Sequence, residues 1–525
     1  MKKIFIIIIA IYSLSSCSGF FEQQPYGPPS SLTEMTEEEA MQAMYGLYHW
    51  QYVEGITGRG VMWYENCSDD FVTGRTNAGG DNIKNFYDIG RSGRDVDETW
   101  RFMYQNVRFA NDILRELPAA TQLTESVRTK LLGHALFFRA FSYLWLAPWY
   151  GDNGPNGGLP VITEDIDMED MDIPRPASVL ETYDFVIEEM KKAAGVLPYF
   201  DEIPAADRGF VHKTAAWTMI ARAALYASAY DAKYFDIVLE YTGKIIETKK
   251  HDLVPEYADV FTEKENWSKE YIMSIVSNAI DGSKLPGMSF QNGGFNLYNT
   301  WGYFQPTSEL RKAFEANDKR LKKTIVMPGD EIQFIGETIV WGFGSHANIS
   351  SPTGMTFGKY LDPFREKDCV GKSVNPNGNN PTTTLNVPIA RYADVLLMRA
   401  EALIWKNGEG DEEAVGLINK IRIRAGLPDD SKATKAQLKN ERRCEFALEF
   451  GVYRHLDLVR WGDAKSIYNR PLHGYTITGT ATNPRLTEKQ VWRPRTNYNP
   501  DIHRVFAIPA QEILKSSNLK QNIGY

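Results

Sequence analysis

Residues 389–406 read IARYADVLLMRAEALIWK, and this stretch decides the class of fold that the sequence predicts. Its apolar residues recur every three or four positions, which is typical of an amphipathic helix. A second helical pattern covers residues 411–425, and Asn407–Gly410 (NGEG) between the two predicts a tight turn. Ala400 and Ala402 are small enough to let neighbouring helices approach closely. The sequence therefore predicts antiparallel helix pairs that stack as in tetratricopeptide repeats.

The same helical periodicity recurs over much of the chain. It covers residues 97–117, 125–150, 178–197, 212–230, 234–249 and 434–461. No clean 34-residue repeat is present, so the prediction depends on helix pairing and not on a repeat motif. Residues 278–305 and 326–386 lack strong helical patterns and predict irregular, ligand-binding regions. We therefore predict a mostly α fold, a tetratricopeptide-like α-α helical scaffold with long irregular loop regions.

The N-terminus has the pattern of an exported lipoprotein. Two lysines precede the apolar run Ile4–Leu14, which is too short to span a bilayer, since a membrane helix needs about 20 apolar residues. The run ends in LSSC (14–17), which resembles a bacterial lipobox, where the cysteine becomes the lipidated first residue. We predict a signal peptide over residues 1–16 and a tether over residues 17–33 with its lipid on Cys17.

Charge and motifs exclude several classes of function. The formal net charge is −9, and loss of the two lysines with the signal peptide makes it −11. This charge argues against nucleic acid as a partner, because phosphate binding needs a basic surface. The four cysteines leave three after lipidation, so at most one disulfide is expected. The sequence has no P-loop, dinucleotide fingerprint, GxSxG, HExxH or CxxC motif, and we assign no cofactor and no metal.

Six segments occur in an order that is typical of a known family. They are WRFMYQNVRFANDIL (100–114), FFRAFSYLWLAPWYGD (137–152), IARYADVLLMRAEALIWK (389–406), EEAVGLINKIRIRAGLP (412–428), ERRCEFALEFGVYRHLDLVRW (441–461) and IPAQEILKSSNLKQNIGY (508–525). Together they resemble the SusD/RagB family of outer-membrane nutrient-binding lipoproteins of Bacteroidota. The resemblance covers nearly the whole mature chain. Cys444 and the Phe450–Val452 turn depart from the family's usual residues.

The resemblance implies one SusD-like domain over residues 34–525. It has an N-terminal part (34–250), a loop-rich ligand-facing part (251–388) and a C-terminal part (389–525). The family would make this chain a lipid-anchored outer-membrane protein at the cell surface. It would capture a glycan, without catalysis, and deliver it to a SusC-like TonB-dependent transporter. The alternatives are peptide uptake of the RagB type, a surface hydrolase, and a helical lipoprotein without a ligand.

Sugar recognition needs flat aromatic faces for the C–H side of the ring and polar groups for its hydroxyls. Residues 61–88 and 283–304 match this description. The candidate aromatic platform comprises Trp301, Tyr298, Phe295, Trp63, Tyr87, Phe86 and Trp341, and the candidate polar residues are Asn292, Asn296, Asp70 and Arg75. Core packing is the alternative for each aromatic residue. The pair Asp69-Asp70 fits either a hydrogen-bonded turn or a ligand for structural calcium.

Residues 441–461 place charges among apolar side chains. The charged residues are Glu441, Arg442, Glu445, Glu449, Arg454 and Asp457. Charges on a half-apolar helix are expected to be ion-paired where helices pack. This segment is therefore predicted to shape the scaffold and not to contact a ligand.

Overall fold

The computed structural model describes most of the chain from residue 31 onward. The described residues are 31–57, 65–74, 78–87, 94–152, 154–166, 172–277, 283–284, 304–334, 336–344, 351–362, 382–383 and 385–525. Within these ranges the fold is mostly helical, as predicted from the sequence.

The helices are numbered in chain order. They are α1 (Glu37–Gly46), α2 (Glu54–Thr57), α3 (Ala78–Lys84), α4 (Arg94–Glu116), α5 (Glu125–Tyr150), α6 (Val179–Val196), α7 (Lys213–Ala227), α8 (Tyr234–Glu247), α9 (Ser308–Ala313), α10 (Lys319–Thr324), α11 (Tyr392–Asn407), α12 (Glu412–Arg424), α13 (Lys435–Phe446), α14 (Arg454–Arg460), α15 (Ala464–Tyr468), α16 (Pro500–His503) and α17 (Ala510–Lys515). Short 3-10 turns occur at Leu32–Glu34, His49–Tyr52, Phe200–Glu202, Ala205–Asp207, Tyr257–Phe261 and Glu263–Glu265.

The strands are short and form two-stranded antiparallel ladders. They are β1 (Phe71–Thr73), β2 (Tyr271–Ile275), β3 (Ser283–Lys284), β4 (Phe304–Pro306), β5 (Ile325–Val326), β6 (Glu331–Phe334), β7 (Glu337–Val340), β8 (Thr356–Phe357), β9 (Thr382–Thr383), β10 (Val387–Arg391), β11 (Leu472–Thr480) and β12 (Asn483–Trp492). The pairs are β1 with β4, β2 with β10, β3 with β9, β5 with β8, β6 with β7, and β11 with β12.

The long helices stack one against the next. Helix α4 packs on α5, α5 on α6, α6 on α7, and α7 on α8. Helix α8 then packs on α11, which packs on α12. This succession of helix pairs confirms the predicted tetratricopeptide-like scaffold.

Helix α5 forms the centre of the N-terminal stack. From Leu131 to Tyr150 nearly every side chain is buried, and a helix that is apolar on all sides belongs in a core. Helix α7 carries small residues where it contacts its neighbours. Its alanines Ala215, Ala216, Ala221, Ala223 and Ala224 are all fully buried.

Two helices begin or end differently from their sequence patterns. Residues 389–391 belong to β10, so the helix predicted over 389–406 begins only at Tyr392. The pattern over residues 434–461 is interrupted between α13 and α14. Gly451 lies in this break with φ of +80°, and a Cβ atom there would lie 2.4 Å from the carbonyl oxygen of Ile389. Only glycine fits this backbone conformation and this close approach.

The charged C-terminal segment is ion-paired, as predicted, and most of its pairs are buried. Arg391 contacts Glu270, Glu445 and Glu449, each at 2.6 Å. Arg424 also pairs with Glu270, at 2.9 Å, and with Glu445. We call the whole group the Arg391 cluster. It consists of Arg320, Lys359, Arg391, Arg424, Glu270, Glu441, Glu445 and Glu449, all of them buried.

A second buried cluster joins four helices of the scaffold. Arg442 on α13 contacts Asp394 on α11 at 3.2 Å and Asp457 on α14 at 3.0 Å. Arg222 on α7 contacts Asp394 at 2.8 Å. Arg460 contacts Asp457 at 2.7 Å. These pairs fix how the helices pack.

Three buried histidines make stability depend on pH. Burial lowers the pKa of His134, His212 and His455 to about 3. The folded chain keeps them neutral, while the unfolded chain binds protons near pH 6.5. Stability is therefore full above about pH 6.5 and falls as the pH drops toward 3, by about 1.4 kcal/mol per pH unit for each histidine.

We expect His134→Gln to reduce this pH dependence by about 1.4 kcal/mol per pH unit over pH 6.5 to 5, because the contribution of one histidine is lost. The measurement is the urea midpoint at several pH values, with His49→Gln at an exposed position as the matched control. An unchanged pH dependence in His134→Gln would contradict the assignment.

Candidate functional site

Strand β1, which belongs to the predicted loop region 61–88, pairs with β4, whose first residue ends the predicted region 283–304. Thr73 at the end of β1 pairs with Phe304 at the start of β4, and Phe71 pairs with Pro306. The chain after Thr73 and the chain before Phe304 therefore leave the same end of this ladder. Thr73 and Phe304 are more than 200 residues apart in sequence, yet the fold pairs them.

Asp69 and Asp70 precede this ladder and are buried. Arg443 contacts Asp69 at 2.8 Å and Asp70 at 2.7 Å, and Arg454 contacts Asp69 at 3.1 Å. Burial raises the pKa of Asp69, but the charges of Arg443 and Arg454 outweigh it and hold this pKa below its usual range. Burial and the neighbouring Asp69 raise the pKa of Asp70. Asp70 thus acts as an internal ion-pair partner, which corrects its prediction as a ligand-facing residue.

Neither Asp69 nor Asp70 forms a metal site with neighbours that the structure describes. Among the described residues, no group of three or more His, Cys, Asp and Glu side chains is arranged to hold a metal ion. In the same part of the chain, no helix has the length and apolar character needed to cross a membrane.

Two of the predicted platform residues lie in the core. Trp341 is fully buried, and its indole N–H donates to the carbonyl oxygen of Gly354 at 3.1 Å. Phe86 is 2% exposed and packs edge-on against Tyr498, with ring centres 4.7 Å apart. Neither ring presents a face to solvent, so core packing was the right alternative for both. We remove Trp341 and Phe86 from the candidate platform.

Tyr87 lies on the surface beside Phe86. Its side chain is 46% exposed, and its hydroxyl oxygen accepts a hydrogen bond from Arg493 at 2.9 Å. Phe86 has φ of +56°, and this left-handed conformation turns the chain so that Phe86 points inward and Tyr87 outward. Lys84 ties the segment to the ladder, since its ammonium donates to the carbonyl oxygen of Phe71 at 2.6 Å.

The partners of this segment come from the far end of the chain. Trp492 at the end of β12 donates its indole N–H to the side-chain oxygen of Asn85 at 3.1 Å. Asn497 donates to the carbonyl oxygen of Asn85 at 2.6 Å. We call this surface, made of Asn85, Tyr87, Trp492, Arg493 and Asn497, the Tyr87 surface. It combines aromatic rings with amide and guanidinium donors, which are the groups that sugar recognition requires.

The remaining candidates lie outside the described residues. They are Cys17, Trp63, Arg75, Asn292, Phe295, Asn296, Tyr298 and Trp301. Their roles stay predictions. Sequence reasoning missed Trp492, Arg493 and Asn497, because they follow a hairpin strand more than 400 residues after Asn85 and no local pattern links the two.

Stacked antiparallel helices with long inserted loops place the chain among all-α proteins of the tetratricopeptide-like class. A family model described as "SusD family" matches residues 250–525, and one described as "Starch-binding associating with outer membrane" matches residues 31–225. The first match alone spans more than half of the chain. The chain therefore belongs to the SusD family.

Individual relatives match over nearly full length at low identity. SusD-like protein P25 of Formosa agariphila is 24% identical, over 98% of this chain and 96% of its own. A SusD-like protein of Bacteroides ovatus is 24% identical, over 88% of this chain and 82% of its own. These relatives agree with the family assignment.

Solved structures share the fold. A SusD-like protein from Bacteroides fragilis has a TM-score of 0.76 at 24% identity, covering 95% of this chain and 98% of its own. Surface glycan-binding protein A from Bacteroides uniformis has a TM-score of 0.73 at 21% identity, covering 93% of this chain and 99% of its own.

Proposed function

We propose that this chain is a cell-surface nutrient-binding lipoprotein that captures an oligo- or polysaccharide. The observation that carries the proposal is the Tyr87 surface, which Lys84 ties to strand β1 of the β1–β4 ladder. Membership of the SusD family supports it, and a family model that matches this chain is described as starch-binding and associating with outer membrane.

The chemistry of capture is non-covalent. The exposed Tyr87 ring offers a flat face for the C–H side of a pyranose. The Tyr87 hydroxyl accepts from Arg493, so its own proton is available to a sugar oxygen. The side-chain amide of Asn497 donates to the backbone of Asn85 and Phe86, which leaves its side-chain oxygen to accept from hydroxyls at the rim. These groups bind and orient a glycan, and the proposal includes no bond-breaking step.

Delivery follows from the proposed anchor. Lipid on Cys17 would hold the domain at the outer membrane, where a SusC-type TonB-dependent transporter would take the captured glycan. Tethering both proteins to one membrane raises their effective concentration for each other. Hinge motion of the domain over the transporter would then separate capture from delivery.

The direct test is calorimetry or affinity electrophoresis of the soluble chain, starting after residue 17, against a panel of polysaccharides. Binding of one polysaccharide without its cleavage would support the proposal. Cleavage would favour a hydrolase. Binding of peptides instead of glycans would favour uptake of the RagB type.

We expect Tyr87→Ala to weaken binding of that polysaccharide about tenfold, which corresponds to about 1.4 kcal/mol, because one stacking face and one hydroxyl are lost. Calorimetry of the variant measures the change. Tyr45→Ala is the matched control, because Tyr45 is a tyrosine of similar exposure, 40%, on helix α1. Equal affinities of Tyr87→Ala and the unchanged chain would exclude the Tyr87 surface from the site.

A further inference from the structure

An open apolar cleft lies between helices α1 and α4. Its volume is about 240 Å³, and its apolar lining consists of Leu32, Met35, Ala43, Gly46, Phe109 and Ile113. Phe109 is 36% exposed, which is unusual for a large apolar side chain in a packed interhelical seam. The cleft is smaller than the roughly 300–1,000 Å³ of pockets that enclose small-molecule ligands. Its size suits protein side chains better than an oligosaccharide.

The cleft exists because helix α1 presents small residues opposite large ones. Ala43 and Gly46 face the cleft from α1, and Phe109 and Ile113 face it from α4. A Cβ atom added to Gly46 would meet no atom within 4 Å. The space beside Gly46 is therefore open to an additional side chain.

The chain enters the described structure at the edge of this cleft. The Ser31 hydroxyl donates to the Glu116 carboxylate at 3.0 Å, and Glu116 lines the cleft. The Gln122 side chain donates to the carbonyl oxygens of Leu32 at 2.8 Å and Met35 at 3.1 Å. These bonds hold Ser31, Leu32 and Met35 at the edge of the apolar lining, where the described part of the chain begins.

The composition of residues 18–30, SGFFEQQPYGPPS, is suited to contact with this apolar cleft. Phe20 and Phe21 are adjacent large apolar residues, and Glu22 is the one charged side chain of the segment. Pro28 and Pro29 stiffen the residues next to Ser31, while Gly27 allows the chain to turn back. Phe21 is ten residues before Ser31, and ten extended residues reach about 33–36 Å, so the cleft is within reach.

We propose that residues 18–30 fold back on the domain and seat Phe20 and Phe21 in the cleft between α1 and α4. Attachment in the same chain gives the two rings an effective concentration in the millimolar range, which favours docking over capture of a free partner. The rings cover Phe109 and fill the space beside Gly46.

Docking shortens the free tether, a consequence that rests on the proposed lipidation of Cys17. Ser31 lies fourteen positions after Cys17, and a fully extended chain of that length reaches about 46–50 Å. Phe20 lies three positions after Cys17, so with Phe20 docked the free tether reaches about 10 Å. The docked state holds this side of the domain against the membrane, and release lets the domain move away from it.

The test measures a distance between two spin labels in the full processed chain, reconstituted in lipid nanodiscs. One label is placed at Gln24→Cys, which leaves both phenylalanines intact, and the other at Glu125→Cys, whose side chain is 85% exposed. Cys369→Ser removes one background thiol, and Cys67 and Cys444 are buried. A docked segment gives one narrow distance distribution, and an undocked segment gives a broad one.

We expect a narrow distribution that becomes broad in the double variant Phe20→Ser, Phe21→Ser and in Gly46→Phe, which fills the cleft. Gly195→Phe on α6 is the matched control, because a Cβ atom there also meets no atom within 4 Å. It should leave the distribution narrow. Glycan binding should be the same in all these variants, so failure of the docking proposal is distinguishable from failure of the proposed function.

Three results would overturn the docking proposal. The first is a broad distribution in the unchanged chain, and the second is a narrow one that Gly46→Phe leaves intact. The third is a dimer, seen by mass measurement, that Gly46→Phe dissociates, since it would assign the cleft to a second copy. The variant Cys17→Ser lacks the lipid, so it distinguishes docking of the two phenylalanine rings from docking of an acyl chain. A narrow distance distribution in this variant supports docking of the rings. A broad distribution in this variant would show that the acyl chain occupies the cleft.

Discussion

Replacing Arg391 with methionine is expected to lower the free energy of unfolding by about 3–5 kcal/mol, because it leaves buried carboxylates without their central partner. Arg391 contacts Glu270, Glu445 and Glu449 at 2.6 Å, and none of the four side chains is more than 2% exposed. Methionine keeps much of the apolar stem and removes the charge. The measurement is the guanidinium midpoint of the variant against that of the unchanged chain.

The acidity of Glu445 gives a physical reason for the size of this effect. Burial raises its pKa, but the charges of Arg424, Arg391 and Arg320 outweigh burial and hold the pKa below its usual range. The stability that Glu445 contributes is present above its unfolded pKa, near 4.3, and is lost as the pH falls below that value. Without Arg391, the pKa of Glu445 in the folded chain moves back toward its unfolded value, so we expect this acid-induced loss to be smaller.

Arg108→Met is the matched control for Arg391→Met. Arg108 pairs with Asp112 at 3.8 Å, and their side chains are 58% and 42% exposed. Exposed ion pairs contribute about 0–1 kcal/mol, so the control midpoint should hardly move. Similar midpoints for the two variants would show that the Arg391 cluster does not hold the scaffold together.

Trp301→Ala combined with Tyr298→Ala is expected to weaken glycan binding by about 30-fold or more. Central aromatic residues of a binding site contribute about 2 kcal/mol or more when truncated, and each factor of ten in affinity is about 1.4 kcal/mol. Both residues shortly precede Phe304 in sequence, and Phe304 pairs with Thr73 in the β1–β4 ladder. Calorimetry with the polysaccharide found in the panel measures the loss.

The control for this pair is Trp405→Ala, on helix α11 of the scaffold, where the Trp405 ring lies under the Lys435 ammonium at 4.8 Å. This variant should bind the polysaccharide as the unchanged chain does. Full affinity in the Trp301 and Tyr298 variant would move the site to the Tyr87 surface alone. Loss of affinity for the polysaccharide in both variants, with intact helical content, would indicate that the scaffold affects the site.

The helical scaffold was predictable because its signals are local. The spacing of apolar residues along 389–406 and 411–425 predicted two helices, and α11 and α12 occupy nearly the same ranges. The predicted helix boundaries are wrong where contacts between residues distant in sequence determine the local structure. Residues 389–391 pair with β2 as a strand, and Gly451 breaks a helical pattern because the backbone of Ile389 approaches it.

The candidate site was predictable only in part, and Phe86 and Tyr87 show why. As neighbouring aromatic residues they look equivalent in sequence, yet one is 2% exposed and the other 46%. The left-handed backbone at Phe86 decides between them. Likewise, Asp70 looked like a loop residue, but Arg443 lies 373 residues later and neutralises it inside the fold.

The pairing of Asp69 with Arg443 and Arg454 has a consequence for the order of folding. These contacts join residues 374 and 385 positions apart, and contacts of such separation form late because a long loop must close first. Helices α4 to α8 are neighbours in sequence and can pair early. Asp69 can form its ion pairs only after Arg443 and Arg454 have been synthesised, near the end of the chain. For a chain that we propose to be exported, this delay is useful. In such a chain, the ion pairs of Asp69 would form only after the segment that carries Arg443 and Arg454 has crossed the membrane.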